Sequence, residues 1–312
     1  MTPRWEKLGQ LYTPASPLRH AKLSSHAANP LPVHLEDDVF RVFFSGRDAE
    51  NRSSVGAVDI DIVALEVIRE FDEPMLVHGP DASFYGDGIS IGNLYDTDEG
   101  RFILFMGWSN RSGEHWRGEV GRIRVDEDLG LQVDSAKPLL GRNAEDPVSL
   151  SYPWVHRYGL KTWRMWYGST VSWDAGNGEM LHVIKQATSS DGVTWHRDGL
   201  AVGYSINDAQ AFSRPTVVVD KTGRHQMWYS YRGRPGVAYR IGYAESADGI
   251  NWVRRDAQAG IDVSASGWDS EMVAYPYVFR HGERAYMLYN GNGYGQSGFG
   301  LARLATVGAP PQ

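Results

Sequence analysis

Carboxylates, arginines, amides and tryptophans recur along this 312-residue chain in short segments that, brought together, could handle a polar ligand. Five segments lead into strand-like stretches: Ser25-His26-Ala27-Ala28-Asn29, Phe84-Tyr85-Gly86-Asp87-Gly88, Glu145-Asp146 through Ser151-Tyr152, Asp208 through Ser213-Arg214, and Trp268-Asp269-Ser270-Glu271-Met272. Five more follow aromatic stretches: Ser45-Gly46-Arg47-Asp48, Gly107-Trp108-Ser109-Asn110, Ser169 through Trp173, Ser230-Tyr231-Arg232-Gly233, and Asn290-Gly291-Asn292-Gly293. Guanidinium forks and amides bind hydroxyls or carboxylates, and indole faces stack on sugar rings, so a lining built from these groups suits a hydroxyl-rich small molecule or oligosaccharide. Candidate ligand contacts on this ground are His26, Asn29, Arg47, Trp108, Trp173, Asp208, Arg214, Tyr231, Arg232 and Asn292.

These groups meet only if the chain folds back at regular intervals. It does: five aromatic strand cores end at Phe44, Met106, Tyr167, Tyr229 and Tyr289, at intervals of 62, 61, 62 and 60 residues. Before four of the cores a proline is followed by valine, as Pro30 with Val33, Pro153 with Val155, Pro215 with Val217, and Pro276 with Val278. Proline fits the start of a strand, where no ladder donor is lost. The second repeat is irregular and carries Asp87-Gly88-Ile89-Ser90-Ile91 instead. Ser189 to Trp195 and Ser246 to Trp252 both read S-x-D-G-x-x-W, a hairpin turn between a third and a fourth strand. Asp-Gly supplies the positive φ of such a turn, and the Trp packs between sheets.

Four short strands per sixty residues, repeated radially, predict an all-β, five-bladed propeller with four antiparallel strands per blade. The blades fall at about 22–75, 76–140, 141–200, 201–256, and 257–306 completed by 4–12, within one domain spanning 1–312. The last repeat has a third strand at Gly298 to Arg303 but no fourth, and Trp5-Glu6-Lys7-Leu8 resembles Trp252-Val253-Arg254-Arg255, so the N-terminal strand is expected to close the last blade. Closure would remove an exposed sheet edge. In such a ring the innermost strands surround a channel, and all ten segments converge on one mouth.

Bulk composition narrows the rest. Cysteine is absent, which leaves no disulfide framework or thiolate metal site. A net charge of −7, with no bunched Lys or Arg, argues against nucleic acid as the main partner. No apolar run reaches signal-peptide or membrane-span length, so a cytoplasmic protein without a membrane partner is expected. No H-E-x-x-H or similar His cluster points to a metal, and nothing points to a cofactor.

The five-fold pattern, the two S-x-D-G-x-x-W turns and the segments Phe84 to Gly88, Ser213-Arg214-Pro215 with Met227 to Ser230, and Trp268 to Glu271 resemble the five-bladed propeller glycosidases, the glycoside hydrolase family 43 and family 32 group. The likeness covers nearly the whole chain and is greatest to an uncharacterised branch. It implies three acidic residues at the approaches to the inner strands, because glycosidic cleavage needs one protonated and one ionised carboxyl on opposite sides of the anomeric carbon. On that resemblance Glu271 is the general acid, Asp87 the base or nucleophile, and Asp269 or Asp208 the tuning carboxylate. The sequence departs from the family pattern in the first blade, where Asn29-Pro30 and His26 stand in place of an Asp-Pro motif. Asn29 cannot accept a proton as a carboxylate would. Two alternatives follow: a sugar-binding propeller without hydrolysis, or a sugar or natural-product tailoring enzyme with His26 as acid or base.

Each residue also has a plainer role. Asp191 and Asp248 read as turn formers, and Asp87 before Gly88 is a common loop pattern. Asp269 could cap a loop or orient Arg214, the three arginines could bridge blades, and Trp108 and Trp173 could be inter-blade packing.

Overall fold

The aromatic cores are strands that sheets cover on both sides. In a computed structural model that describes residues 2–14, 20–110, 113 and 115–305, all five cores are buried over both faces, from Val42, Phe43 and Phe44 to Met287, Leu288 and Tyr289. The outermost limits drawn from the sequence, 1, 306 and 312, lie outside the described residues. Full burial on both faces explains why the cores read as continuous apolar runs instead of alternating ones.

Among the described residues there are twenty strands, and the helical content is three single 3-10 turns. After β1 (Trp5–Tyr12) come β2 (Ser25–Glu36), β3 (Val39–Arg47), β4 (Ser53–Asp61) and β5 (Glu66–Glu70). Next are β6 (Gly88–Thr97), β7 (Gly100–Ser109), β8 (Arg117–Val125) and β9 (Leu131–Val133), then β10 (Ser149–Gly159), β11 (Thr162–Ser172), β12 (Leu181–Ser189) and β13 (His196–Leu200). The chain continues with β14 (Ala211–Val219), β15 (His225–Arg232), β16 (Arg240–Ser246) and β17 (Val253–Arg254), and ends in β18 (Ala274–His281), β19 (Arg284–Asn290) and β20 (Phe299–Leu304).

Each group is an antiparallel meander, with β2–β3–β4–β5 as the first. The last group, β18–β19–β20, takes its outer strand from β1, which pairs antiparallel with β20 from Trp5 opposite Leu304 to Tyr12 opposite Phe299. Single parallel bridges, Ser53 with Gly88 and His182 with Ala211, join neighbouring groups and make two of the sheets mixed. The first strands of the groups touch in a cycle, β2 on β6, β6 on β10, β10 on β14, β14 on β18, and β18 back on β2. The outer strand β5 is charged and largely exposed, which suits an edge that must not recruit another strand.

One backbone device repeats on the inner strands. Asn29, Tyr152, Arg214 and Tyr275 have φ of 57°, 30°, 47° and 54°, and each immediately precedes Pro30, Pro153, Pro215 or Pro276. At the same place the register of each strand slips, between Ala28 and Leu31, Ser151 and Trp154, Ser213 and Thr216, and Ala274 and Tyr277. A bulge re-aims a side chain, and a left-handed non-glycine residue costs on the order of 1–3 kcal/mol, so surrounding structure must hold it. In β6 the proline position is Gly92, where an added Cβ would lie 2.4 Å from the Pro153 carbonyl oxygen. Glycine there permits close approach of β6 to β10, which accounts for the irregular second repeat.

Candidate functional site

Three of the four bulged residues, Asn29, Tyr152 and Tyr275, meet at two adjoining cavities. A pocket of about 420 Å³ opens where the inner strands begin, lined from β10 by Ser151 and Tyr152, from β14 by Phe212 and Ser213, and from β18 by Tyr275. Arg47 at the end of β3, Trp108 near the end of β7 and Asn110 just after it, Trp116 before β8, His182 on β12, Arg232 at the end of β15, Tyr239 and Tyr294 complete its polar and aromatic wall. A smaller void of about 20 Å³ adjoins it, reached by Asn29, Ser45 and Ser53 and sharing Arg47, Trp108, Tyr152, Tyr275 and Tyr294. The Oδ1 atom of buried Asn29 has no hydrogen-bond partner there, while its backbone N–H donates to Asn290 Oδ1. A void of that size holds about one water molecule.

Tyrosines form one wall. The rings of Tyr152 and Tyr275 lie 5.4 Å apart, and Tyr239 stands against Tyr275 at 6.5 Å and Tyr294 at 6.0 Å. Burial pushes the Tyr239 and Tyr275 hydroxyls well above their ordinary range, so both stay protonated donors. Arg232 lies 4.9 Å over the Tyr239 ring, donates to Tyr294 Oη at 2.9 Å, and pairs through Nε with Glu179 at 2.9 Å.

A second part of the lining holds a hydroxyl and imidazole chain. Ser151 Oγ is 2.6 Å from His182 Nε2, and Thr170 Oγ1 is 2.7 Å from Nδ1. Complete burial pulls the His182 pKa to about 3, so the ring is neutral at pH 7 and its two nitrogens share one proton between the hydroxyls. Gly168 makes this chain possible, since a Cβ on it would lie 2.1 Å from Ser151 Oγ and 2.4 Å from His182 Nε2.

Of the residues singled out from the sequence, Arg47, Trp108 and Arg232 line the large cavity and Asn29 the small one. Trp173 stands behind, with its ring 5.0 Å from Trp116 and stacked on His115 at 4.5 Å. His26 binds Ser25 Oγ, and burial followed by the Arg47 charge pulls its pKa to about 4. Arg214 is buried beneath the wall and donates to the carbonyls of Tyr275 at 2.6 Å and Pro30 at 2.8 Å, tying two bulges together across the ring. Tyr231 packs on Tyr229 at 6.3 Å, and Asn292 Oδ1 accepts the N–H groups of Glu271 and Met272.

The acids are placed apart from the lining. Among the described residues no carboxylate lines either cavity. Asp269 is buried against Lys7 Nζ at 2.7 Å and Tyr289 Oη at 3.0 Å, with Arg214 elsewhere. Asp208 is exposed and paired with Arg254. Asp87 Oδ2 accepts the N–H of Asn110 at 2.6 Å, which puts it beside a lining residue, and Glu271 is exposed on the segment before β18. Asp191 Oδ1 accepts the N–H groups of Val193 and Thr194. Burial pushes this carboxyl up, but those bonds outweigh it and hold the pKa at about 2, as befits a turn former. Among the described residues no group of three His, Asp or Glu is arranged to hold a metal ion, and no helix is long and apolar enough to cross a membrane.

Sequence reasoning carried Ser151 and Tyr152 only as the end of one segment and passed over Tyr275, Tyr239, Tyr294, His182 and Glu179. A signal existed for two of these. Tyr152 and Tyr275 hold the pre-proline position that Asn29 and Arg214 hold in their own repeats, so selecting by that position would have found all four.

No family model matches the chain. Two proteins of Mycobacterium tuberculosis, uncharacterized protein MT1551 of strain CDC 1551 / Oshkosh and uncharacterized protein Rv1502 of strain ATCC 25618 / H37Rv, are each 41% identical to it over 302 residues, covering 96% of this chain and 99% of theirs. Among solved structures, one named glycoside hydrolase superposes with a TM-score of 0.74 at 14% identity, over 99% of this chain and 95% of its own. A thermostable family-43 glycoside hydrolase gives 0.64 at 15% identity, over 90% and 88% of the two chains. A structure from the GH130 family of mannoside phosphorylases, which contains glycoside hydrolases that target beta-1,2 mannosidic linkages in Candida mannan, gives 0.70 at 12%, over 97% and 94%. At these identities the likeness shows the fold, an all-β propeller of the glycosidase type.

Proposed function

The chain belongs to the family of the mycobacterial proteins MT1551 and Rv1502, and from that premise we propose that it is a saccharide-recognising propeller that binds its ligand in the 420 Å³ cavity. We read the strand groups as five blades of one domain, at the boundaries drawn from the sequence, with β1 completing the last. The observation that carries the reading is the lining itself. Trp108, Trp116 and four tyrosines offer faces for sugar rings, while Ser90, Ser151, Ser213 and Asn110 offer hydroxyl and amide partners. The volume lies in the range of small-ligand sites. Because Trp108 and Trp116 line the cavity, titration with a panel of neutral and charged saccharides should change tryptophan fluorescence saturably. A panel without saturable binding at millimolar concentration removes the reading.

One observation favours a second reading, glycosyl cleavage. Asp87 reaches the cavity wall through Asn110, so one carboxyl borders the mouth even though it does not line it, and Glu271 is exposed on the segment before β18, the corresponding approach in its own repeat. In that reading Asp87 is the base or nucleophile and Glu271 the acid. Asp87→Asn keeps an oxygen for the Asn110 N–H and removes the ionisable group. Turnover of a cleaved substrate should fall by about 10²–10⁴-fold with binding kept, the range for losing a positioned acid or base. Undiminished turnover excludes Asp87 from the chemistry.

A further inference from the structure

We infer that the ligand carries an anionic group, a phosphate, sulfate or carboxylate, seated on Arg47. This rests on the saccharide reading and names the ligand's chemical class. Arg47 lines both the large and the small cavity. It is half-buried and makes no ion pair among the described residues. The acid next to it in sequence, Asp48, is engaged by Lys22 at 3.0 Å and Arg52 at 3.0 Å.

The surroundings do not compensate that charge. Among the described residues no carboxylate shares the lining, and the second cation there, Arg232, already has Glu179. Arg214, below the tyrosine wall, has among the described residues backbone carbonyls and the Tyr277 ring, 5.6 Å from its centre, and no carboxylate partner, and so adds positive potential from beneath. Asp87, which lies beside the lining residue Asn110, accepts that residue's N–H. The chain as a whole carries −7, so a lining that among the described residues holds no carboxylate and leaves Arg47 without an ion pair is a local arrangement that runs against the overall charge. A guanidinium fork matches the geometry of phosphate, sulfate or carboxylate, and such charge-assisted bonds are the strong ones. Ser45 and Ser90 around the small void supply further hydroxyl donors for its oxygens.

The test is calorimetric titration at low salt with glucose, glucose 1-phosphate, glucose 6-phosphate, glucuronate and inorganic phosphate. One or more of the charged sugars should bind about 10–100-fold tighter than glucose, the span of a hydrogen bond to a charged group. Arg47→Ala should erase that preference and Arg47→Lys restore part of it, with unchanged melting of both variants confirming that the fold is intact. Equal binding of neutral and charged sugars overturns the inference while leaving saccharide recognition in place. Arg47-dependent binding of inorganic phosphate without binding of any sugar supports the anion site and removes the saccharide reading. Anion binding that Arg47→Ala leaves untouched, or no anion binding at all, overturns the inference.

Discussion

Replacing Asp269 with Asn separates an anchoring role from a chemical one. The Asp269 carboxylate is almost fully buried and receives Lys7 Nζ at 2.7 Å and Tyr289 Oη at 3.0 Å, while Lys7 also donates to Ser264 Oγ at 2.9 Å. Lys7 belongs to β1, so this carboxylate fastens the N-terminal strand to the last sheet. The Asn amide can still accept from Tyr289, but the charge opposite Lys7 is gone. Breaking a fully buried ion pair costs about 3–5 kcal/mol. Lys7, whose side chain is 24% exposed, keeps water and Ser264, so the loss should be closer to the ~2 kcal/mol of one charge-assisted hydrogen bond. Domains of 150–250 residues lose about 2–4 °C of Tm per kcal/mol, and a longer chain sits at the low end, which gives a drop of about 4 °C. Thermal melts of Asp269→Asn, Lys7→Met and the double variant form a cycle whose coupling energy should be about 1–2 kcal/mol, with saccharide affinity unchanged. A wild-type Tm together with abolished ligand binding or turnover would refute the anchoring role and return Asp269 to the chemistry.

Acid should weaken the fold through its buried histidines. His182 is held at about 3 against 6.5 in an unfolded chain, so as pH falls the unfolded state takes up the proton first. Stability is therefore lost from pH 6.5 downward until pH reaches about 3, with about 2 kcal/mol gone between pH 7 and pH 5 from this group alone. His26, held at about 4, adds in the same direction. Urea melts at pH 7 and pH 5 should show the loss, and His182→Gln should reduce it; equal midpoints contradict the burial of a neutral ring. Gly168→Ala should lower stability by about 1–3 kcal/mol, the usual cost of overpacking, because the new methyl collides with Ser151 and His182. An unchanged melt would mean that this contact is loose.

Much of the fold was legible because it rests on repetition. The aromatic cores became the second strand of each group, the proline-valine segments the first, and the S-x-D-G-x-x-W stretches the turns after β12 and β16. The pairing of β1 with β20 also follows from matching Trp5-Glu6-Lys7-Leu8 to Trp252 through Arg255. At the site, loop position alone brought out Arg47, Trp108 and Arg232. The acids were harder, because a position before a strand does not say which way a side chain turns. Buried tyrosines decide it: the hydroxyls of Tyr167, Tyr229 and Tyr289, at the same place in three repeats, each require a partner and take Asp146, Asp256 and Asp269. A carboxylate drawn toward a core hydroxyl is turned away from the ligand, and residue type alone carries no trace of that competition.

The pairing of Trp5 through Tyr12 with Phe299 through Leu304 joins two segments that lie almost the whole described chain apart. At ribosomal rates of about 5–20 residues per second, the early strand waits roughly 15–60 s for its partner. Until then Trp5 and Tyr12, both buried in the finished molecule, lack their final cover, and β20 is not there to saturate the β1 backbone. A nascent chain of this kind exposes a sticky edge throughout the interval between the two strands, so the chain's yield in a cell should depend on chaperone supply more steeply than its final stability suggests.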